Sequence, residues 1–125
     1  MNIAVIAHDN KKADMVAFIM KRMDFFKRDE VVIYATGTTG KHIENAGLDV
    51  ECLLSGPMGG DAQIASMIAD GQISGVVFFI DPLDVHPHQV DVNMLLRICN
   101  VTDTPIATNY STASMMIKYL ETEEV

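Results

Sequence analysis

The sequence lacks the features that identify membrane, secreted and nucleic-acid-binding proteins. No apolar run approaches the roughly 18 residues of a membrane span. The apolar run within the N-terminal "MNIAVIAHDN" is too short for a signal peptide. Lys and Arg number only nine and are scattered, and the formal net charge is -8. A nucleic-acid surface would need a clustered basic face. We therefore expect a cytoplasmic globular protein without nucleic-acid or membrane partners.

Cysteine is equally scarce. Cys52 and Cys99 lie far apart within apolar patterns and form no CxxC motif. Free cysteines are among the most frequently buried residues. The pattern predicts two reduced thiols in the core, and neither a disulfide nor a metal pair.

The sequence does contain a regular alternation of apolar runs and helical patterns. The runs are rich in Val, Ile and Phe and are nearly continuous, which is typical of strands covered on both faces. They predict an α/β fold, in which one domain over residues 1–125 forms an open, doubly wound sheet of about five parallel strands flanked by helices. The predicted strands are residues 2–7, 31–35, 50–54, 75–80 and 105–108.

Between the runs, apolar residues recur with the period of about 3.6 that is typical of helices. A shorter helix at residues 41–46 is expected to end at Gly47. The predicted buried stripes are Val16, Ile19, Met20 and Met23; Ile64, Met67 and Ile68; Val92, Leu95, Leu96 and Cys99; and Ala113, Met116, Ile117 and Leu120.

Polar residues follow all five predicted strands. Ligands of open α/β sheets bind outside the carboxyl ends of the strands. We therefore expect one crevice that collects these loops: "HDNKK", "TGTTGK", "SGPMGGD", "DPLDVHPHQVD" and "TNYST".

The second loop is not a nucleotide-binding P-loop. That motif needs Gly where the chain has Ala35, and Ser or Thr where it has His42. The glycines and threonines of this loop instead predict a strand-to-helix turn at which N–H groups and hydroxyls surround a phosphate. A capped turn without ligand is the alternative.

The third loop brings an aspartate to the start of a helix. Gly59 and Gly60 allow the backbone to approach a ligand closely. Asp61 then follows, either as a carboxylate that accepts a proton or as the N-cap of the helix. The loop alone leaves both roles open.

The fourth loop carries three aspartates, Asp81, Asp84 and Asp91, with His86 and His88. An HxH pair suggests a metal, but no Cys or Glu completes a compact ligand set. A neutral His88 that donates a hydrogen bond to a substrate oxygen is the favoured role, and His86 is expected to be a solvated loop residue.

The first loop begins at His8, which is either a satisfied edge residue or a ligand-binding residue of the crevice. Lys11 and Lys12 begin a helix, where a cation is unfavourable unless an anion lies nearby. One of these lysines is therefore a candidate phosphate ligand. Asp9 is expected to cap the helix or to anchor a basic neighbour.

Five motifs in this order closely resemble methylglyoxal synthases: "AHDNKK", "YATGTTG", "SGPMGGD", "DP" followed by "PHQVDV", and "IATN". The resemblance implies conversion of dihydroxyacetone phosphate to methylglyoxal and inorganic phosphate. It also implies that neither a metal nor an organic cofactor takes part, that inorganic phosphate inhibits, and that the protein is a homohexamer.

The resemblance also implies roles for residues. It makes Asp61 the proton-abstracting base, places His88 at the reacting carbonyl and hydroxyl end, and gives Asp81 and Asp91 supporting roles. A regulatory module that senses a phosphorylated ligand is the alternative function, but it has no need of these carboxylates. The residues placed around the substrate, chiefly its phosphate, are His8, Lys12, Thr36, Gly37, Thr38, Thr39, Ser55 and Gly56.

Overall fold

The computed structural model describes residues 1–83 and 89–122, without the side chains of residues 57 and 89–91. Its sheet has five strands in the order β3-β2-β1-β4-β5, and all pairings are parallel. The predicted fold class is therefore confirmed. The strands are β1 (Asn2–Ala7), β2 (Val32–Thr36), β3 (Glu51–Leu53), β4 (Gly75–Phe79) and β5 (Ile106–Ala107).

Helices connect successive strands and cover both faces of the sheet. Two short 3-10 turns, Asp9–Lys11 and Gly56–Met58, lie at the exits of β1 and β3. The α-helices of the described residues are α1 (Lys12–Met20), α2 (Met23–Phe26), α3 (Gly37–Asn45), α4 (Gly60–Ala69), α5 (Gln89–Thr102) and α6 (Tyr110–Thr122).

The alternation of side chains along β1 explains why its sequence is apolar throughout. Ile3 and Val5 belong to one core cluster, which includes residues of α1, α2, α3 and α6. Ala4 and Ile6 belong to a second cluster, which includes residues of α4 and α5. Because successive side chains point to opposite faces, a strand covered on both sides needs an apolar residue at every position.

The helical stripes are confirmed in α6 and partly wrong in α1. All four predicted residues of α6 are buried. In α1, Ile19 is buried as predicted, but Met15 and Phe18 are buried beside it, and Met20 is 42% exposed. The reason is that α1 ends before Lys21, so Met23 begins a separate helix and does not continue the same stripe.

One of the two cysteine predictions is also wrong. Cys99 is buried between α5 and the sheet, where burial raises the pKa of its thiol to about 11 and keeps it protonated. Cys52 is exposed, and its Sγ lies 3.4 Å from Oε1 of Glu44. It lies on β3 at the edge of the sheet, where the strand is not covered as the central strands are.

Helix α3 begins earlier than predicted, directly after β2. Gly37 is its first residue and has φ +45°, a conformation that glycine adopts without strain. Gly47 follows the helix with φ +99°, which confirms the predicted glycine at its C-terminal end. The segment "TGTTG" is therefore mostly the first turn of a helix.

The described residues contain no helix that is long and apolar enough to cross a membrane.

Candidate active site

The strand order reverses at β1, which pairs with β2 on one side and with β4 on the other. Such a switch point opens a crevice at the carboxyl ends of the strands. His8 follows β1 and Asp81 follows β4, and the backbone N–H of Asp81 donates a hydrogen bond to Nδ1 of His8 over 3.0 Å. The first and fourth loops therefore meet at the point where a ligand is expected.

This hydrogen bond defines the tautomer of His8. Since Nδ1 accepts a hydrogen bond from a backbone amide, the proton of the neutral ring is on Nε2. The ring also packs edge-on against Phe78, with 5.2 Å between the centroids. His8 is thus held in the form that donates an N–H group to an oxygen.

The side chain of Asp81 is fixed in the same crevice. It is 8% exposed, and its carboxylate accepts hydrogen bonds from Nδ2 of Asn10 over 3.0 Å and from the N–H of Leu83 over 3.1 Å. Asn10 was not among the predicted site residues. The signal for it is weak, because a polar residue in a loop after a strand is ordinary.

The second and third loops are in direct contact. The N–H of Gly37 donates to the carbonyl oxygen of Leu54 over 3.2 Å, and a Cβ atom on Gly37 would lie 3.0 Å from Cα and Cβ of Ser55. The N–H of Gly37 is therefore used to join the loops. The anion-binding donors of α3 are instead expected in Thr38 and Thr39, because the first N–H groups of a helix have no acceptor within it.

Lys12, and not Lys11, faces this helix terminus. Its Nζ donates to Oγ1 of Thr38 and lies 2.9 Å from Oδ1 of Asp9. Nζ of Lys11 lies 3.9 Å from a carboxylate oxygen of Asp14 on the helix itself. Asp9 therefore forms an ion pair with Lys12, which is one of the two roles predicted for it. A lysine and the N-terminus of α3 together form a local positive site for an anion.

The three threonines of the second loop differ in exposure. Thr36 and Thr39 are buried, whereas Thr38 is exposed and bonded to Lys12. Ser55 is half-buried and adjoins Gly37. We refer to Lys12, the second loop and the adjoining Ser55 and Gly56 as the anion cradle. Thr38 is its exposed threonine, and Lys12 and Ser55 are partly exposed.

Asp61 is not the N-cap of its helix. Helix α4 begins at Gly60 and its N-cap is Gly59, with φ +108°. Asp61 is the second helical residue and is 9% exposed. A Cβ atom on Gly56 would lie 3.2 Å from each carboxylate oxygen of Asp61, so the carboxylate lies against the backbone of the third loop. Because residue 56 has no side chain, the carboxylate of Asp61 can lie this close to the loop.

Gly60, the second of the paired glycines, has a role within the protein's own backbone. A Cβ atom on Gly60 would lie only 1.9 Å from the carbonyl oxygen of Leu54, so Gly60 allows close contact with the protein's own backbone. The N–H of Gly60 donates to the carbonyl of Ser55 over 2.9 Å. Oε1 of Gln63, which the sequence did not single out, accepts from the N–H of Leu54 over 2.9 Å. Helix α4 is thereby joined to the exit of β3.

The remaining predicted residues belong to the fourth and fifth loops. Asp84, His86 and His88 lie outside the described residues, as does the side chain of Asp91, whose backbone is in α5. In the fifth loop, Oδ1 of Asn109 accepts from the N–H of Thr112 and caps α6. Across the described part of the chain, no three His, Cys, Asp or Glu side chains are grouped as metal ligands.

The close contact at Gly60 predicts the effect of a single methyl group. Gly60→Ala is expected to lower the free energy of unfolding by about 3 kcal/mol or more, because a backbone carbonyl cannot move aside as a side chain does. Gly75→Ala is the control, since its Cβ would meet the flexible end of Met116 at 3.3 Å, and we expect a loss below about 1 kcal/mol. Urea unfolding measures both, and equal losses would contradict the steric assignment.

Comparison with known proteins is consistent with this geometry. A family model described as "MGS-like domain" matches residues 10–108. The chain is 52% identical to the methylglyoxal synthase of Carboxydothermus hydrogenoformans, over 96% of this chain and 98% of the relative. It is 48% identical to that of Moorella thermoacetica, over 97% of this chain and 94% of the relative.

A solved structure supports the same relationship. The crystal structure of methylglyoxal synthase from Elizabethkingia anophelis NUHP1 matches with a TM-score of 0.82 and 40% identity, over 93% of this chain and 76% of that one. With a family model that matches most of its length and relatives that are about 50% identical, the chain belongs to the methylglyoxal synthase family.

Proposed function

We propose that the chain converts dihydroxyacetone phosphate to methylglyoxal and inorganic phosphate. The observation that carries this proposal is a buried carboxylate, that of Asp61, held on the third loop, which directly contacts the anion cradle of the second loop. A base beside a phosphate site is what abstraction of a proton and loss of phosphate require.

Asp61 is the proposed base. Removal of a proton from the carbon beside the ketone gives an enediolate. Asp has an ordinary pKa of about 3.9 and is a weak base, so alignment and exclusion of water must supply much of the rate. The low exposure of Asp61 and its rigid location in the first turn of α4 support this role.

The developing oxyanion needs hydrogen-bond donors. His8 is held with its proton on Nε2, and this supports a donor role toward a substrate oxygen. The family resemblance adds His88 at the reacting carbonyl and hydroxyl end, with Asp81 and Asp91 in supporting roles. In this scheme neutral imidazoles stabilise the enediolate without a metal ion or organic cofactor.

The phosphate cradle decides which product forms. Phosphate leaves only when its C–O bond lies out of the plane of the enediolate, where it overlaps the π system. When that C–O bond lies in the plane, the enediolate takes back a proton and the substrate isomerises. Lys12, Thr38 and the N-terminus of α3 are proposed to hold the phosphate out of that plane, with Thr36, Gly37, Thr39, Ser55 and Gly56 forming the cradle around it.

We further propose that one methylglyoxal-synthase-like domain spans residues 1–125, and that it works in the cytoplasm as a homohexamer. Exposed apolar side chains at the rim of the crevice support association. Leu54 follows β3, Met58 lies in the third loop and Leu83 follows β4, and they are 53%, 71% and 96% exposed. Burial of such exposed apolar side chains against another subunit would remove them from water.

The regulatory-module alternative is not favoured. Relatives that cover nearly the whole chain at about 50% identity are named as the enzyme. A module that only senses a phosphate also gains nothing from burying the carboxylates of Asp61 and Asp81 at the crevice, since an anion is repelled by both.

Asp61→Asn tests the base directly. We expect kcat for methylglyoxal formation from dihydroxyacetone phosphate to fall by about 10² to 10⁴, because an amide accepts no proton. Asp70→Asn, on an exposed residue at the other end of α4, is the control and should retain full activity. Unchanged turnover in Asp61→Asn would remove it as the base, and an inactive wild-type chain would remove the function.

Gly56→Ala tests the location of the Asp61 carboxylate. Its methyl group would lie 3.2 Å from both oxygens and displace them by a few tenths of an ångström. We expect turnover to fall about tenfold, because small misplacements of reacting groups are costly. Gly75→Ala, which contacts only flexible side chains, should retain its activity. Full activity of Gly56→Ala would contradict this location of the carboxylate.

Lys12→Met tests the phosphate cradle. We expect KM for the substrate and the inhibition constant for inorganic phosphate to rise together, by about ten- to a hundredfold, since a charge-assisted hydrogen bond is lost. Lys11→Met makes the same change in charge beside it and should alter both constants less than about twofold. Titration with phosphate measures these constants. Equal effects of the two substitutions would refute the assignment to Lys12.

A further inference from the structure

Asn10 connects two loops that are distant in the sequence. It lies in the 3-10 turn Asp9–Lys11 after β1, and its Nδ2 is 3.0 Å from Oδ2 of Asp81 after β4, 71 residues away. Since a carboxylate only accepts hydrogen bonds, the amide nitrogen of Asn10 is the donor. The contact therefore spans the switch point of the sheet, where the proposed substrate binds.

The two oxygens of Asp81 are held separately. Asn10 donates to Oδ2, and the backbone N–H of Leu83 donates to Oδ1 over 3.1 Å. Two donors at two different oxygens fix the rotation of the carboxylate as well as its position. Because the side chain is largely buried, this orientation is not averaged by solvent.

Asp81 also acts on the ring of His8. Its backbone N–H donates to Nδ1 of His8, and this bond sets the tautomer with the proton on Nε2. Asn10, Asp81 and His8 thus form one chain of hydrogen bonds in which side chain and backbone of the same aspartate are restrained. A change at Asn10 is transmitted to the imidazole through Asp81.

We propose that Asn10 is a positioning residue of the reaction: its amide fixes Asp81, and through Asp81 it holds His8 in the tautomer that donates to the substrate. The kinetic part of this proposal rests on the proposed function. Asn10 is not assigned contact with reacting atoms. An aspartate at this position would place two carboxylates face to face, whereas an asparagine supplies the donor without charge.

The test compares three substitutions of Asn10 with a matched control. Asn10→Ala removes the hydrogen-bond donor. Asn10→Asp replaces the donor by a carboxylate, which only accepts, and Asn10→Gln retains an amide. Asn2 is the control position, because its Nδ2 also donates to a residue distant in the sequence, the carbonyl of Gln72 over 2.8 Å, but from the opposite end of β1. Asn2→Ala and Asn2→Asp therefore remove a comparable hydrogen bond without touching the crevice.

The first measurement is the nitrogen NMR spectrum of the full chain with ¹⁵N-labelled histidine, in which His8→Gln identifies the His8 signals. We expect the Nε2–H tautomer in the wild type and in both Asn2 variants. Asn10→Ala and Asn10→Asp should show a mixture of tautomers. This measurement needs no substrate, so it tests the hydrogen-bond chain even if the proposed reaction is absent.

The second measurement is steady-state kinetics with dihydroxyacetone phosphate. We expect Asn10→Ala to lower kcat about tenfold and to change KM less than about threefold, because the contact of Lys12 with Thr38 is unaltered. Asn10→Gln should recover part of kcat. The Asn2 variants should keep the wild-type constants.

Three outcomes would overturn the proposal. The first is a single Nε2–H tautomer in folded Asn10→Ala and Asn10→Asp. The second is a loss of kcat that the Asn2 variants share, which would indicate a general effect on stability. The third is a rise in KM as large as the fall in kcat. If Asn10→Ala does not fold, Asn10→Gln and Asn10→Asp decide the same question.

Discussion

Two successive backbone carbonyls at the exit of β3, those of Leu54 and Ser55, join the second and third loops of the proposed site. They accept from two helices: the N–H of Gly37 at the start of α3 donates to the carbonyl of Leu54, and the N–H of Gly60 at the start of α4 donates to the carbonyl of Ser55. A Cβ atom at Gly60 would overlap the Leu54 carbonyl. The two helix N-termini are therefore fixed against a single strand exit, and the distance between the proposed phosphate site and Asp61 follows from backbone contacts.

Backbone contacts of this kind suit a site that must attract an anion against the net charge of the chain. At a formal charge of -8, the long-range field repels a phosphate. Lys12 is partly neutralised by the exposed Asp9, so its attraction acts mainly at short range. N–H groups at a helix terminus carry only partial charges, but they cost no reorganisation when the ligand arrives. Binding of phosphate at the proposed site would therefore depend on how accurately α3 is placed.

The sequence was sufficient for the architecture because the central strands are buried on both faces. Continuous apolar runs identify such strands without knowledge of their partners, and β1 and β4 have nearly the predicted bounds. The prediction was wrong where burial depends on the neighbours. Cys52 lies in an apolar run, but β3 is at the edge of the sheet, and an apolar pattern does not reveal the strand order. The stripe in α1 was misplaced because no proline or glycine marks the break after Met20.

The residues of the candidate site also fall into two groups, those that a local motif indicates and those that depend on the fold. Those of the glycine-rich and threonine-rich loops are candidates from the sequence alone, because local chemistry indicates a strand-to-helix turn that can bind phosphate. Asn10 and Gln63 were not predicted, because each acts through a contact that exists only after the sheet has formed. A motif identifies the groups that meet a ligand, while the groups that orient them depend on strand order and register.

Asp61 shows why this distinction matters for chemistry. As an N-cap, its carboxylate would be committed to the backbone of its own helix, and the same residue would be a poor base. The sequence left this open, since a helix boundary predicted from a pattern is uncertain by a residue or two. In the structure the N-cap is Gly59, which has no side chain, and the carboxylate of Asp61 lies against Gly56. Because Gly59 is the N-cap, the carboxylate of Asp61 is not used to cap α4, which is compatible with the role proposed for it at the substrate.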